Sequence, residues 1–459
     1  MNATLIAAVA LNMVAMSPNS EKPAAQSVRP SYNAYVVAVD ESVAFDAEWG
    51  KVVAALKAKH KAEVLGFAGE AGLPSLLAEL RKSRPKYVCF VAKPESVGRS
   101  FVTAAHKAMR MIDDDPYGDA IWGIVTGYDA ADALRIVESP SGGKVAGYAT
   151  SMGGPDTLNG WERGIASDER TPDNLWVRRP GGAVEKVPTG GNIAKSLADA
   201  FNSVKLDYFV TSGHARERNW QIVYNKNCGM LVHTDDARLE FVEPGNAARH
   251  ALTNAHLRVY IGAGNCLIGH VDARACMATA WMRVAGVEQF CGYTVPSWYG
   301  FMGWGVKGTF ESGRYSVPEA KFLENERLLW ASGRDLSAMD RKGVEYDRDT
   351  FAYYGDPAQR IMFPKDTMPY TVEVKGPRLL RRSMEVTVRF TKDCDFAPLS
   401  DARGARPVMA LLDCDPPGRA LFGKDGAKVS DAVVTERFIF IPMPGHHAAG
   451  EVCKYVVKP

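Results

Sequence analysis

The sequence predicts an α/β fold, a mostly parallel sheet flanked by helices, followed by an all-β sandwich domain at the C-terminus. Three observations carry this. From Tyr32 onward short β-branched runs alternate with amphipathic stretches, the pattern of repeated βαβ units. The run 87–92 is apolar throughout, as a strand covered on both faces requires. Beyond Pro364 five strand-like runs follow one another between turn residues, with no helical periodicity.

In order, the spacing predicts strands at 34–39, 63–67, 87–92 and 120–125, separated by helices at 45–59, 73–82, 101–111 and 129–137. The stretch 138–195 is rich in Gly, Pro, Asp and Arg with little periodicity and reads as a long loop, functional or mobile. A helix at 193–203 follows, then strands at 206–211 and 257–261, a helix at 272–284 and a strand at 289–293. A helix at 318–331 carries Pro318 in its first turn. The runs 370–374, 384–390, 408–412, 433–441 and 452–457 predict a small β-sandwich of the Ig type. At the other end, the apolar run 4–16 has the length of a signal-peptide core, is too short to span a bilayer and lacks a basic segment before it. A Pro/Ser/Asn-rich linker leads from it into the fold. The expected organisation is 1–31 signal peptide and linker, 32–362 α/β domain, 363–459 β-sandwich, in a secreted or periplasmic protein.

Composition narrows the partners. With 459 residues, the chain exceeds one ordinary core at roughly 150 residues per domain. Hydrophobic residues at 46% and charged ones at 24% are those of a soluble globular protein. Lys+Arg 55 against Asp+Glu 53 leaves a net charge of +2, too little field to hold nucleic acid. The eight cysteines contain no CxxC pair and no Cys/His cluster at zinc spacing. They are too few for a disulfide scaffold, although Cys394, Cys414 and Cys453 could close one bridge in an oxidising compartment. His233, His250, His256 and His270 share no ligand spacing.

Two predicted strand ends stand out, because open α/β sheets place their sites beyond the carboxyl ends of strands. One reads Val210-Thr-Ser-Gly-His214-Ala215, the other Ile261-Gly-Ala-Gly-Asn-Cys266. The span between them is long enough for a crossover that makes the strands neighbours. A thiol near its ordinary pKa is mostly protonated at neutral pH, and an imidazole beside it takes that proton and returns it to a leaving amine. Flanking glycines bring backbone to the surface, where the N–H groups of Ala215 and Cys266 could face an oxyanion. Against this stands the plainer reading of a buried apolar cysteine and a surface histidine.

The string Gly213-His214-Ala215-Arg216-Glu217-Arg218-Asn219-Trp220 resembles the catalytic-histidine motif of gingipain-type cysteine peptidases, bacterial relatives of caspases. Cys266 then falls at the position of that family's nucleophile. Further similarities occur in the same order. The segment 276–282 resembles the helix after the nucleophile, Ser297-Trp298 a pocket-wall segment, and Tyr354-Gly355-Asp356-Pro357 the turn that ends the catalytic domain. The aspartates of 113–119 resemble the family's middle region. Together these matches cover about 85–361. The resemblance implies a caspase-like sheet, a Cys266–His214 dyad acting through a thioester, a peptide or protein substrate, and no cofactor. Two departures are Ala215, where the family usually has Gly, and Trp122-Gly-Ile-Val-Thr-Gly127, where it commonly has Gly-Arg followed by an apolar residue and Pro.

Secondary candidates keep two readings each. Asp113, Asp114, Asp115 and Asp119 supply a third group for His214 or an acidic floor for a basic side chain, or else form a solvated loop or a structural calcium site. Glu217 orients the histidine or simply sits in its loop. Trp220 belongs to the motif itself. Ser297, Trp298 and Tyr299 line a substrate pocket or pack. Cys276 reads as a core residue inside a helix. The rival function is a catalytically silent homologue acting as a surface or adhesion protein, and a small-molecule amidase or acyltransferase would use the same dyad.

Overall fold

The computed structural model describes residues 34–459 except 225, 254–255 and 378–382. The apolar run 4–16 and the linker lie outside these residues. Four strands open the fold: β1 (Tyr35–Asp40), β2 (Glu63–Phe67), β3 (Tyr87–Val91) and β4 (Ile121–Val125). Next come β5 (Gly147–Thr150), β6 (Arg163–Ser167), β7 (Leu175–Arg178), β8 (Val184–Lys186) and β9 (Tyr208–Thr211). A meander follows: β10 (Ala215–Arg216), β11 (Asn219–Gln221), β12 (Met230–His233), β13 (Leu239–Val242) and β14 (Arg249–Ala251). The series closes with β15 (Val259–Gly262), β16 (Gln289–Tyr293) and β17 (Phe351–Tyr354).

The central sheet has twelve strands in the order β2-β1-β3-β4-β17-β16-β15-β9-β5-β6-β7-β8. It consists of two parallel halves running in opposite directions. β17 joins them, pairing parallel with β4 and antiparallel with β16. β7 and β8 add an antiparallel edge. Helices cover both faces. Val36 and Ala38 of β1 pack toward the helices Leu73–Ser83 and Arg99–Met109, while Val37 and Val39 pack toward Ala47–His60. Burial on both faces explains the unbroken apolar runs of β1, β3 and β4. The crossover helices start where the sequence supplies caps, with Asp46, Asp129 and Asn192 side chains accepting first-turn N–H groups.

The C-terminal strands form antiparallel sheets of four, three and two strands. Side chains of the two larger sheets share one core, with Val386 and Val388 on one side and Val408, Ile439 and Ile441 on the other. This region is not merely appended. Ala402, Ala405, Phe438 and Phe440 enter the same apolar cluster as Phe301, Phe322 and Leu323. Arg437 donates to the carbonyls of Asp119 (2.6 Å), Arg84 (2.8 Å) and Pro85 (3.0 Å). All eight cysteines are free thiols. Among the described residues no helix is long and apolar enough to cross a membrane.

Several expected elements differ. The stretch 138–195 is not a loop: β5 to β8 lie within it, each three to five residues long, too short to show a period. The helices Phe301–Glu311 and Ala338–Arg348 were not foreseen. Gly303, Gly305 and Gly308 dilute the signal of the first, yet Gly303 is what lets it close on the sheet, because a Cβ there would collide with the Ala263 carbonyl. The helix expected at 272–284 begins only at Met277, with Cys276 as its N-cap. The run 433–441 is a hairpin, Val433–Val434 pairing with Phe438–Ile441 around Thr435.

The Gly-Asp-Pro turn after β17 is a hub. Asp356 is fully buried, accepts hydrogen bonds from Tyr35 OH (2.9 Å) and His60 Nε2 (2.7 Å), and lies 3.1 Å from Lys59 Nζ. Burial pushes its carboxyl up, but the His60 hydrogen bond and the His60 and Lys59 charges outweigh that and hold it below the ordinary range. The stability it contributes is therefore complete above the ordinary aspartate range and is lost as pH falls through it. Asp356→Asn is expected to cost about 3 kcal/mol near neutral pH and to flatten the acid limb of a urea-unfolding pH series. An unchanged acid limb would exclude this role.

Candidate active site

β9 and β15 are adjacent and parallel, with Tyr208 opposite Val259 and Thr211 opposite Gly262. Their following loops therefore leave the sheet side by side. The N–H of Ala263 donates to Thr211 O (2.9 Å). Asn265, fully buried, donates through Nδ2 to Gly213 O (3.1 Å) and accepts at Oδ1 from Thr211 Oγ1 (2.5 Å). The residue before Cys266 thus holds the residue before His214. Gly213 has φ +98° and Gly264 lies so close to Ser212 that a Cβ would strike its Oγ, so both turns need glycine.

After Cys266 the chain is strained. Leu267 has φ +58°, a left-handed conformation costing a branched residue roughly 1–2 kcal/mol. Hydrogen bonds from Leu267 N to Val295 O (3.1 Å), Gly269 N to Tyr293 O (2.9 Å) and His270 N to Leu267 O (2.9 Å) hold it there. The half-buried thiol faces Ser297, whose N–H points at Sγ (3.3 Å) and whose Oγ lies 3.5 Å away. That hydroxyl donates to Gly264 O (2.9 Å), which leaves the thiol as donor toward Ser297 Oγ.

His214 is exposed, its ring packed edge-on against Tyr224 at 5.1 Å between centroids. Tyr224 also lies close enough to Cys266 to feel a thiolate, and it interacts with Glu169. Burial pushes the Glu169 carboxyl up to about 7, while hydrogen bonding with Tyr224, the Arg170 charge and Ser212 draws it down. Its buried Oε2 faces Gly213. The segment carrying Glu169 shows no period, and only the structure brings it beneath the histidine turn.

The other predicted residues divide. Ala215 lies on β10, the edge strand of the meander sheet. Because Gln221 N donates to His214 O (2.8 Å), the Ala215–Trp220 pair is the non-hydrogen-bonded one and the Ala215 N–H points away from β11. Trp220 is buried and donates Nε1 to Ser212 O (2.9 Å). The Glu217 carbonyl accepts Met277 N (2.9 Å), and its carboxylate acts on His270. Trp298 is exposed, and Tyr299 packs between Phe301 and Tyr346 while its carbonyl accepts from Arg403 Nη1 (3.1 Å).

Asp115 and Asp119 lie elsewhere, against the C-terminal region. Carboxylate oxygens of Asp113, Asp119 and Glu436 fall within 4.8 Å of one another, with Arg419 3.5 Å from Asp113 and 3.1 Å from Glu436. Burial and the charges of Asp113 and Glu436 push Asp119 up to about 9, and burial carries Asp115 up to about 6. Among the described residues this trio is where a hard cation would find three carboxylates.

No family model matches this chain, and no curated protein matches it. A solved structure described as "Structure of Protease" is similar, at 11% identity and a TM-score of 0.44 over 93% of this chain and 95% of that one.

Two outcomes are expected. Asn265→Ala strands the Gly213 carbonyl, leaves the Thr211 hydroxyl only its Tyr260 partner, and lowers unfolding free energy by about 2 kcal/mol in urea titrations. Because native Glu169 keeps its proton to about 7 while the unfolded chain loses it in the ordinary glutamate range, stability falls as pH rises through that window. Glu169→Gln removes this slope, and a slope that persists in the variant would exclude Glu169 as its origin.

Proposed function

We propose that this chain is a caspase-like, gingipain-type cysteine peptidase in which Cys266 is the nucleophile and His214 its general base. The single observation that carries the reading is the hydrogen bond from Asn265 to Gly213 O, which ties the loop bearing the thiol to the loop bearing the imidazole. Both loops leave neighbouring parallel strands at the same end of the sheet, the placement that lets two groups act on one substrate carbonyl.

In this mechanism His214 takes the Cys266 proton, and the thiolate attacks the peptide carbonyl. The Ser297 N–H, 3.3 Å from Sγ, stabilises the thiolate through a charge-assisted hydrogen bond. The outward N–H of Ala215 and the N–H of Cys266 hold the developing oxyanion. His214 then protonates the departing amine, leaving a thioester. Water attacks that carbonyl with His214 again as base, releasing the acid and restoring the thiol. Glu169 is the positioning residue, since its Oε2 lies against Gly213, in the turn that carries His214, and its carboxyl interacts with Tyr224, on which the His214 ring packs.

Incubating the full chain with a peptidyl vinyl sulfone should alkylate Cys266 stoichiometrically, read by intact mass and peptide mapping. His214→Ala should slow alkylation at pH 7 by about 10²-fold or more, and Cys266→Ala should abolish both labelling and casein hydrolysis. Folded protein that stays unlabelled, or hydrolysis that survives Cys266→Ala, would sink the proposal.

A further inference from the structure

Large hydrophobic side chains are exposed at seven positions among the described residues, four of them aromatic: Phe45, Tyr224, Trp298 and Trp304. Three of those four lie on segments that adjoin the Cys266 loop or His214. Trp304, 44% exposed, lies over the backbone two residues before the thiol: a methyl built on Gly264 would stand 3.5 Å from its Cζ2. Its helix, Phe301–Glu311, is pressed against the thiol's loop where Gly303 meets Ala263 O. Tyr224, 46% exposed, packs its ring against His214. Trp298, 74% exposed, follows Ser297, whose N–H points at the thiol. Three wet aromatic faces around one glycine-floored loop mark a place where something apolar is received, because folded chains otherwise bury such surface.

Two arginines near the loop are held by backbone carbonyls. Arg99 donates to Thr294 O (2.8 Å), and Arg403 donates to Tyr299 O while lying over the Phe301 ring. Asp347 is fully buried, one carboxylate oxygen accepting from Tyr293 OH and Met302 N and the other without a hydrogen-bond partner. The aspartates that would hold a basic side chain are gathered instead with Glu436 and Arg419. Arg216, exposed on β10 two residues beyond His214, is a cation that would compete for an acidic side chain.

We infer that the cleft over Cys266 takes a bulky apolar or aromatic side chain of a peptide substrate, with the Trp304 indole as its principal contact and Tyr224 and Trp298 as its flanks. This rests on the peptidase reading above and adds the substrate class. A side chain slotted between these rings exchanges water for aromatic faces at offset-stacking or edge contacts. The discrimination expected of such an apolar pocket is at least about tenfold between a large and a small side chain.

The test uses the full chain and five tripeptidyl chloromethyl ketones that differ only in the residue next to the warhead: Phe, Leu, Ala, Arg and Asp. Second-order rates of Cys266 alkylation are read by intact mass. The Phe and Leu probes should react at least about tenfold faster than the other three. Trp304→Ala should collapse the Phe/Ala ratio, and Trp304→Phe should restore part of it, with thermal melts reporting that both variants fold. Fastest reaction with the Arg or Asp probe, or a Phe/Ala ratio untouched by Trp304→Ala, overturns this inference while leaving the peptidase reading standing. If no probe reacts faster than iodoacetamide and His214→Ala changes nothing, the peptidase reading fails as well.

Discussion

The buried amide of Asn265 is the constraint on which the candidate site depends. Its two hydrogen bonds join the tips of β9 and β15, beside the Thr211–Tyr260 hydroxyl contact and the Ala263 N–H bond to Thr211 O. A polar side chain with no solvent exposure persists only when its donors and acceptors are met. Here they are met by Thr211 and Gly213, so the desolvation that makes Asn265 costly to disturb is also what keeps Cys266 and His214 on adjoining turns. The strained Leu267 sits at the next step, held by bonds to the segment after β16. A rigid, slightly strained turn presenting one reactive atom is a common arrangement at sites where geometry must not relax.

That turn is supported from several directions. The segment 296–301 presents the Ser297 N–H to the thiol, and it is backed by Tyr346 through Pro296 O (3.0 Å) and by Arg403 through Tyr299 O. Arg403 belongs to the C-terminal half, whose Ala402 carbonyl is in turn held by the buried Arg327 (3.0 Å). Packing of the C-terminal strands is therefore coupled to the segment that faces the thiol. At the centre of the sheet the two opposed halves meet through β17, and Asp356 just beyond it draws in β1 and the end of the helix Ala47–His60. Ion pairs with this degree of burial stabilise little beyond an apolar equivalent but are expensive to break, which makes the turn a registration device.

Much of the architecture is legible without coordinates. The β1 to β4 region is recovered to within a residue or two at most boundaries, because both faces of the parallel sheet are covered and β1, β3 and β4 are nearly apolar throughout. The failures share a cause. β5 to β8 and the meander strands are two to five residues long, and a period of two cannot be seen in so few residues. The helix Phe301–Glu311 is masked by three glycines, of which Gly303 makes the close approach to Ala263, a tertiary requirement that overrides propensity.

The same division runs through the site. Local order along the chain placed a histidine and a cysteine just past strand ends, since strand periodicity and glycine punctuation are properties of contiguous residues. Which strands are neighbours, and so which loops meet, follows from hydrogen bonding between segments far apart in sequence. Only the folded sheet could therefore bring Glu169 under Gly213, set Trp304 over Gly264, and carry Asp115 and Asp119 to Arg419 and Glu436 at the C-terminal region. Chemical identity is written residue by residue, whereas proximity is decided by packing, because burial and polar satisfaction are met jointly by the whole chain.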